Sequence, residues 1–132
     1  MVDRVEITQP GYDQVFKSRD GLVGRDLSVR ATRVQLAGKA QAGVRSGDLK
    51  RDITKNWVNV AKPDTLTIQV GSARKYAEMH HEGTRAHIIR PRNVKAMRWI
   101  DDHGRVHFSR QVMHPGTHAN RFLTDNLPLA VR

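Results

Sequence analysis

The 132-residue chain has no cysteine. That removes disulfide staples, thiolate zinc sites and cysteine nucleophiles together, and it suits assembly in a reducing cytoplasm. Aromatic residues are scarce, at 5%, so the core has to rest on Val, Leu, Ile and Ala around a few anchors. Trp57, Trp99, Phe108, Phe122 and Tyr76 are the candidates. No stretch approaches the roughly 20 apolar residues of a membrane span, and the opening MVDRVEITQPGYDQ lacks the apolar run of a signal peptide. A soluble protein without a conventional export signal is expected. Acids are in the minority, 13 Asp+Glu against 23 Lys+Arg, for a net charge of +10. Such an imbalance favours anionic partners, nucleic acid or an acidic protein surface.

The length suits one domain. Residues 1–20 are expected to form an N-terminal arm, with a short strand in VDRVEIT stopped by Pro10-Gly11 and a short helix in YDQVFKSRD. Residues 21–132 are expected to form a single α+β domain. From Leu22 to Val44 there is no proline, and Val23, Leu27, Ala31 and Val34 recur as one face of an amphipathic helix does. Arg25, Ser28, Thr32, Gln35 and Lys39 are placed on the opposite face. NWVNVAK and DTLTIQVG, with Leu66, Ile68 and Val70 alternating against polar residues, suggest two antiparallel strands turning at Lys62-Pro63-Asp64. SARKYAEMHHEGT is a short helical or irregular stretch. AHIIRPRN, KAMRWID and RVHFSRQVM are extended, the last two joined as a hairpin by DDHGR. NRFLTDNLPLAVR closes the chain as a short helix limited by Pro128. The expected fold is α+β: a long N-terminal helix on a curved antiparallel sheet of about four to five strands, with a short C-terminal helix.

Candidate catalytic groupings dissolve on inspection. A helical zinc hydrolase needs His-Glu-x-x-His to face two imidazoles at one metal, but after His81-Glu82 the next histidine is His87, across Gly83. His114 and His118 are four apart, yet Pro115-Gly116 between them is a type II turn signal. No Gly-x-Ser-x-Gly elbow or phosphate-cradling glycine loop occurs, and Asp101-Asp102 ahead of His-Gly suits a solvated turn. No catalytic residue, metal site or cofactor is therefore expected. A folded cage gathering His80, His81, His87, His114 and His118 is the remaining metal reading. Arg85, Arg90, Arg92, Lys95 and Arg98, close to Trp99, form a basic stripe that could meet an acidic partner or DNA phosphates without sequence readout.

Three short elements occur in order. They are SGDL, with Ser46, Gly47 and Leu49; YAEMHHEGT, with Tyr76, Ala77, Glu82, Gly83 and Thr84; and HPGTHANRFL, with His114, Pro115, Gly116, Thr117, Phe122 and Leu123. In this order the chain resembles the tail-completion, or neck, proteins of long-tailed bacteriophages, the family likened to the tenth gene product of a lambdoid phage. The resemblance spans roughly residues 22–131. The chain departs from the pattern at Met79-His80-His81, where an apolar residue more often precedes the glutamate, and at Arg121, where proline is common. The resemblance implies a structural virion protein without catalysis. It would form a homo-oligomeric ring of six-fold or twelve-fold symmetry in the virion neck, assembled in the bacterial host cytoplasm. Neighbouring connector, tail terminator or tail tube proteins would be its partners, DNA would pass close by, and no membrane is involved.

Overall fold

A computed structural model describes residues 8–59 and 65–131. The chain is a mixed α+β protein. Helix α1 (Gln9–Phe16) begins with Pro10 in its first turn, where the missing N–H costs nothing. The expected strand at VDRVEIT lies outside the described residues apart from Thr8, which precedes α1. Helix α2 (Leu22–Gln41) is followed by α3 (Asp48–Asp52) and by strands β1 (Thr54–Val58) and β2 (Thr67–Gly71). After α4 (Lys75–Glu82) come β3 (His87–Ile89), β4 (Met97–Ile100), β5 (Val106–Ser109) and β6 (Val112–His114). A 3-10 helix (Thr124–Ala130) closes the chain, with Pro128 inside it.

The strands pair as three antiparallel two-stranded ladders, β1 with β2, β3 with β6 and β4 with β5, and not as one four-to-five-strand sheet. The physical reason lies between β3 and β4. Arg90 to Ala96, with Pro91 among them, stand opposite only Arg110 and Gln111, so the register cannot run on from the β3/β6 ladder into the β4/β5 ladder. Residues 85–114 therefore form one long, interrupted arm. The tip at DDHGR is closed as a hairpin: the Asp101 carboxylate accepts the backbone N–H of His103 and of Arg105, at 2.9 and 2.8 Å.

Helix α2 buries Gly24, Ala31, Val34 and Gly38, a stripe of mostly small side chains that lets the rest of the chain approach closely. At Gly38 a side chain would stand 3.0 Å from the Phe122 carbonyl. Ser28, Thr32 and Gln35, expected on the outer face, are instead half-buried against β1. The Lys55 ammonium donates to the Ser28 and Thr32 hydroxyls at 2.9 and 2.6 Å, and Gln35 donates to the Ile53 carbonyl at 3.0 Å. Their polarity serves these inward bonds. The solvent side carries Leu22, Val29 and Leu36.

The core is small and lies where α2 ends: Ala42, Leu49, Ile53, Ala77 and Phe122, with Val70 and Leu123 packed against it. Of the five expected aromatic anchors only Phe122 is buried, at 1% exposure. Trp57 is half-buried, whereas Tyr76, Trp99 and Phe108 are exposed. Trp99 and Phe108 sit on β4 and β5, which rest extensively on no other element among the described residues, so their side chains have nothing to pack into. Among the described residues no helix is long and apolar enough to cross a membrane. Phe122→Ala should remove about 3–5 kcal/mol and leave little or no cooperative transition in urea. Loss of under about 1 kcal/mol would mean that this core is not what holds the chain.

Candidate functional site

The two His-x-Gly-Thr elements meet each other. Thr84 and Thr117 form an isolated antiparallel bridge, each backbone N–H donating to the other's carbonyl at 3.0 Å, with their hydroxyls 3.1 Å apart. The bridge lies in the register of the β3/β6 ladder that follows, in which His87 faces His114. Gly83 (φ 74°) and Gly116 (φ 90°) make this clasp. A side chain on Gly83 would lie 2.5 Å from the Thr117 carbonyl, and one on Gly116 would lie 2.3 Å from the Thr84 carbonyl. Each glycine is thus required twice, by its left-handed backbone and by the chain pressed against it.

The other motif residues lie in or beside the core. Ser46 bonds the Asp48 carboxylate at 2.8 Å, Gly47 takes φ 79° as it enters α3, and Leu49 is buried. That bond, with the Arg51 guanidinium beside it, holds the Asp48 carboxyl below its ordinary value. Ala77 is buried and Tyr76 exposed on α4, while Phe122 is buried and Leu123 half-buried after the clasp. All three sequence elements therefore converge on one core. Periodicity could not show this, because the partners are about 30 to 70 residues apart and leave no local signal.

Five of the seven histidines are bonded into the fold. His80 accepts the Gly43 backbone N–H through Nε2 at 3.2 Å, stands 3.3 Å from the Asn120 amide and lies over Phe122. His81 donates Nδ1–H to Glu82 at 2.6 Å, turns Nε2 to Thr124 and meets Phe122 edge-on at 5.3 Å between ring centres. Glu82 also faces Arg121 at 3.9 Å. The positions that depart from the family pattern, His80, His81 and Arg121, thus tie α4 to the closing segment. His87 donates to the Arg85 carbonyl, His114 accepts the Gly116 N–H, and the two rings stack at 5.1 Å. His107 donates to Asp101 at 2.9 Å and stacks on Trp99. That bond, then the backbone N–H groups of Arg105 and His103, hold the Asp101 carboxyl below its ordinary 3.8, so the tip keeps an ionised anchor to more acidic pH than a free aspartate would. Among the described residues no three His, Asp or Glu side chains converge as a metal cage requires.

The basic stripe runs along the arm. Arg85, Arg90, Arg92, Lys95 and Arg98 are all exposed. None of them enters the Lys or Arg ion pairs found among the described residues, which join Lys17 to Asp13, Arg30 to Asp26, Arg51 to Asp48, Arg74 to Asp52 and Arg121 to Glu82. Beside these charges the arm exposes Ile88, Trp99, Ile100, Val106, Phe108 and Met113. The candidate site is accordingly a docking surface: a rigid clasp from which a cationic, apolar arm projects.

Compared with protein-family models, with curated proteins and with solved structures, the chain matches none of them.

Gly116→Val should prevent folding, read as loss of the cooperative unfolding transition, because the added side chain meets the Thr84 and Arg85 backbone. His118→Ala, at an exposed position, should change stability by no more than about 0.5 kcal/mol. A well-folded Gly116→Val protein would show that the clasp is dispensable.

Proposed function

We propose that the chain is a structural virion protein of a tailed bacteriophage, a neck or tail-completion component that forms a ring joining the tail to the head connector. The observation that carries this reading is the convergence of the three ordered elements. Leu49, Ala77 and Phe122 share one core, and the two Gly-Thr pairs form one clasp. Residues that resemble a family in sequence order thus also form one spatial unit, and the arm between them is left for contacts outside the subunit.

Exposed apolar surface supports the same reading. Among the described residues nineteen large hydrophobic side chains are exposed, while seven apolar residues are buried. A subunit in a ring has two neighbours, each covering roughly 800 Å² of it. On this reading the role is architectural and not enzymatic, and five of the seven histidines already serve the fold. The site of action is the virion neck, after assembly in the host cytoplasm. Connector, tail terminator or tail tube proteins would be the neighbours, and six-fold or twelve-fold symmetry the arrangement. The curved sheet of four to five strands would then belong to the assembled ring, with neighbours adding strands to the short ladders.

One specific observation favours a second reading, a non-specific nucleic-acid contact: five exposed cations, without acidic partners among the described residues, lie along the arm that carries Trp99. Electron microscopy of the purified, nuclease-treated protein should show closed rings of six or twelve subunits. A particle that stays monomeric at high concentration contradicts the ring. In a DNA-binding titration, five phosphate contacts would give a log-affinity against log-salt slope of about −4 to −5 on duplex; no binding at low salt removes the second reading.

A further inference from the structure

Positive charge is concentrated in the arm and runs along both of its strands. To the stripe from Arg85 to Arg98 the return strand adds Arg105 and Arg110, both exposed. The acids of residues 85–114 are Asp101 and Asp102 alone, so the arm carries +5 of the chain's net +10 in less than a quarter of its length. Both acids lie in the tip turn. Asp101 is occupied there, accepting from the backbone N–H groups of His103 and Arg105 and from His107. Between the clasp and the tip neither strand holds an acid.

The charge is densest at the waist, where the β3/β6 ladder breaks off before the β4/β5 ladder begins. Arg90, Arg92 and Lys95 stand there on one strand and Arg110 on the other. Residues 92–95 make no hydrogen bond to any other described residue, so their backbone N–H groups are donors without a protein acceptor, beside cations without an acid. Phosphate oxygens accept from side-chain cations and from backbone N–H groups alike. Two features favour duplex DNA over an acidic protein surface. Cations on both strands of a ribbon suit a groove with phosphates along both rims, whereas a protein surface meets one side. Width agrees: strands about 4.8 Å apart make a ribbon that the major groove, about 12 Å wide, admits and the minor groove, about 6 Å wide, does not. The floor of the major groove also presents the amino groups of adenine and cytosine, donors that suit the aspartates of the tip.

We propose that the arm lies in the major groove of duplex DNA as a two-stranded ribbon, with Arg90, Arg92 and Lys95 on the phosphates of one rim and Arg110 on those of the other. The inference rests on the nucleic-acid reading and deepens it: it names the duplex as the ligand, the ribbon as the element that enters, the groove that receives it, and a cation of the return strand as a contact. The contacts are to phosphate, so binding is independent of base sequence and weakens as salt rises.

Fluorescence anisotropy of the nuclease-treated full chain tests this on three ligands: a plain short duplex, the same duplex with glucosylated hydroxymethylcytosine, whose sugar fills the major groove, and the plain duplex saturated with netropsin, which fills the minor groove. The plain duplex should bind, the sugar should weaken binding by about tenfold or more, and netropsin should leave it within about twofold. Arg110→Gln, at an exposed position outside the stripe, should keep the wild-type unfolding midpoint and reduce the log-affinity against log-salt slope by about one. Duplex binding that the sugar leaves unchanged, that netropsin displaces, or whose salt slope Arg110→Gln does not alter overturns the placement in the groove while the nucleic-acid reading stands. Absence of binding to the plain duplex at low salt overturns both.

Discussion

The structure depends on the bridge between Thr84 and Thr117. Two backbone hydrogen bonds and a hydroxyl contact hold together segments 33 residues apart, and the closeness of that approach is what demands glycine at positions 83 and 116. Everything downstream of α4 is placed by this bridge. It sets the register of the β3/β6 ladder and so the direction of the arm, and it returns the chain at Asn120, which bonds the His80 carbonyl and the exposed end of α2. Phe122 is then delivered into the core against Ala42, Leu49, Ile53 and Ala77. Orphan carbonyls at the end of a helix need partners; here the Asn120 amide takes the Gln41 carbonyl at 3.1 Å.

A fold organised this way holds its base firmly and leaves its periphery open. The core has one large aromatic, whereas Leu22, Val29 and Leu36 on α2 and Ile100, Val106 and Phe108 on the arm face outward. Exposed apolar side chains are ordinary when scattered. Here they are ordered, along one line of a helix and on one face of a hairpin, and that order is the physical content of the assembly reading. Charge adds a second constraint, because a chain of net charge +10 gathers on itself only where apolar contact outweighs repulsion, or where an anionic partner is present.

Much of the local structure was legible in the sequence. Pro115-Gly116 signalled a turn, DDHGR signalled a hairpin, and Leu66, Ile68 and Val70 signalled a strand; Gly116 with φ 90°, the β4/β5 ladder and β2 stand at those places. The pairing of the two His-x-Gly-Thr elements was not legible, because each reads locally as a chain reversal and nothing nearby says that they reverse against one another. An outward placement of Ser28, Thr32 and Gln35 fails for a related reason: polarity suits solvent, but Lys55 on β1 gives Ser28 and Thr32 an inward partner and the Ile53 carbonyl gives Gln35 one. The aromatics of the arm were counted as core because composition weighs a side chain without its surroundings. The seven-residue spacing of Leu22, Val29 and Leu36 was present throughout and would have revealed the outer ridge.

On the ring reading, neighbours complete this fold. The urea unfolding midpoint as a function of protein concentration tests this, because assembly stabilises the folded state by mass action. The midpoint should rise steadily with concentration. A midpoint independent of concentration, in protein that unfolds cooperatively and reversibly, would contradict it.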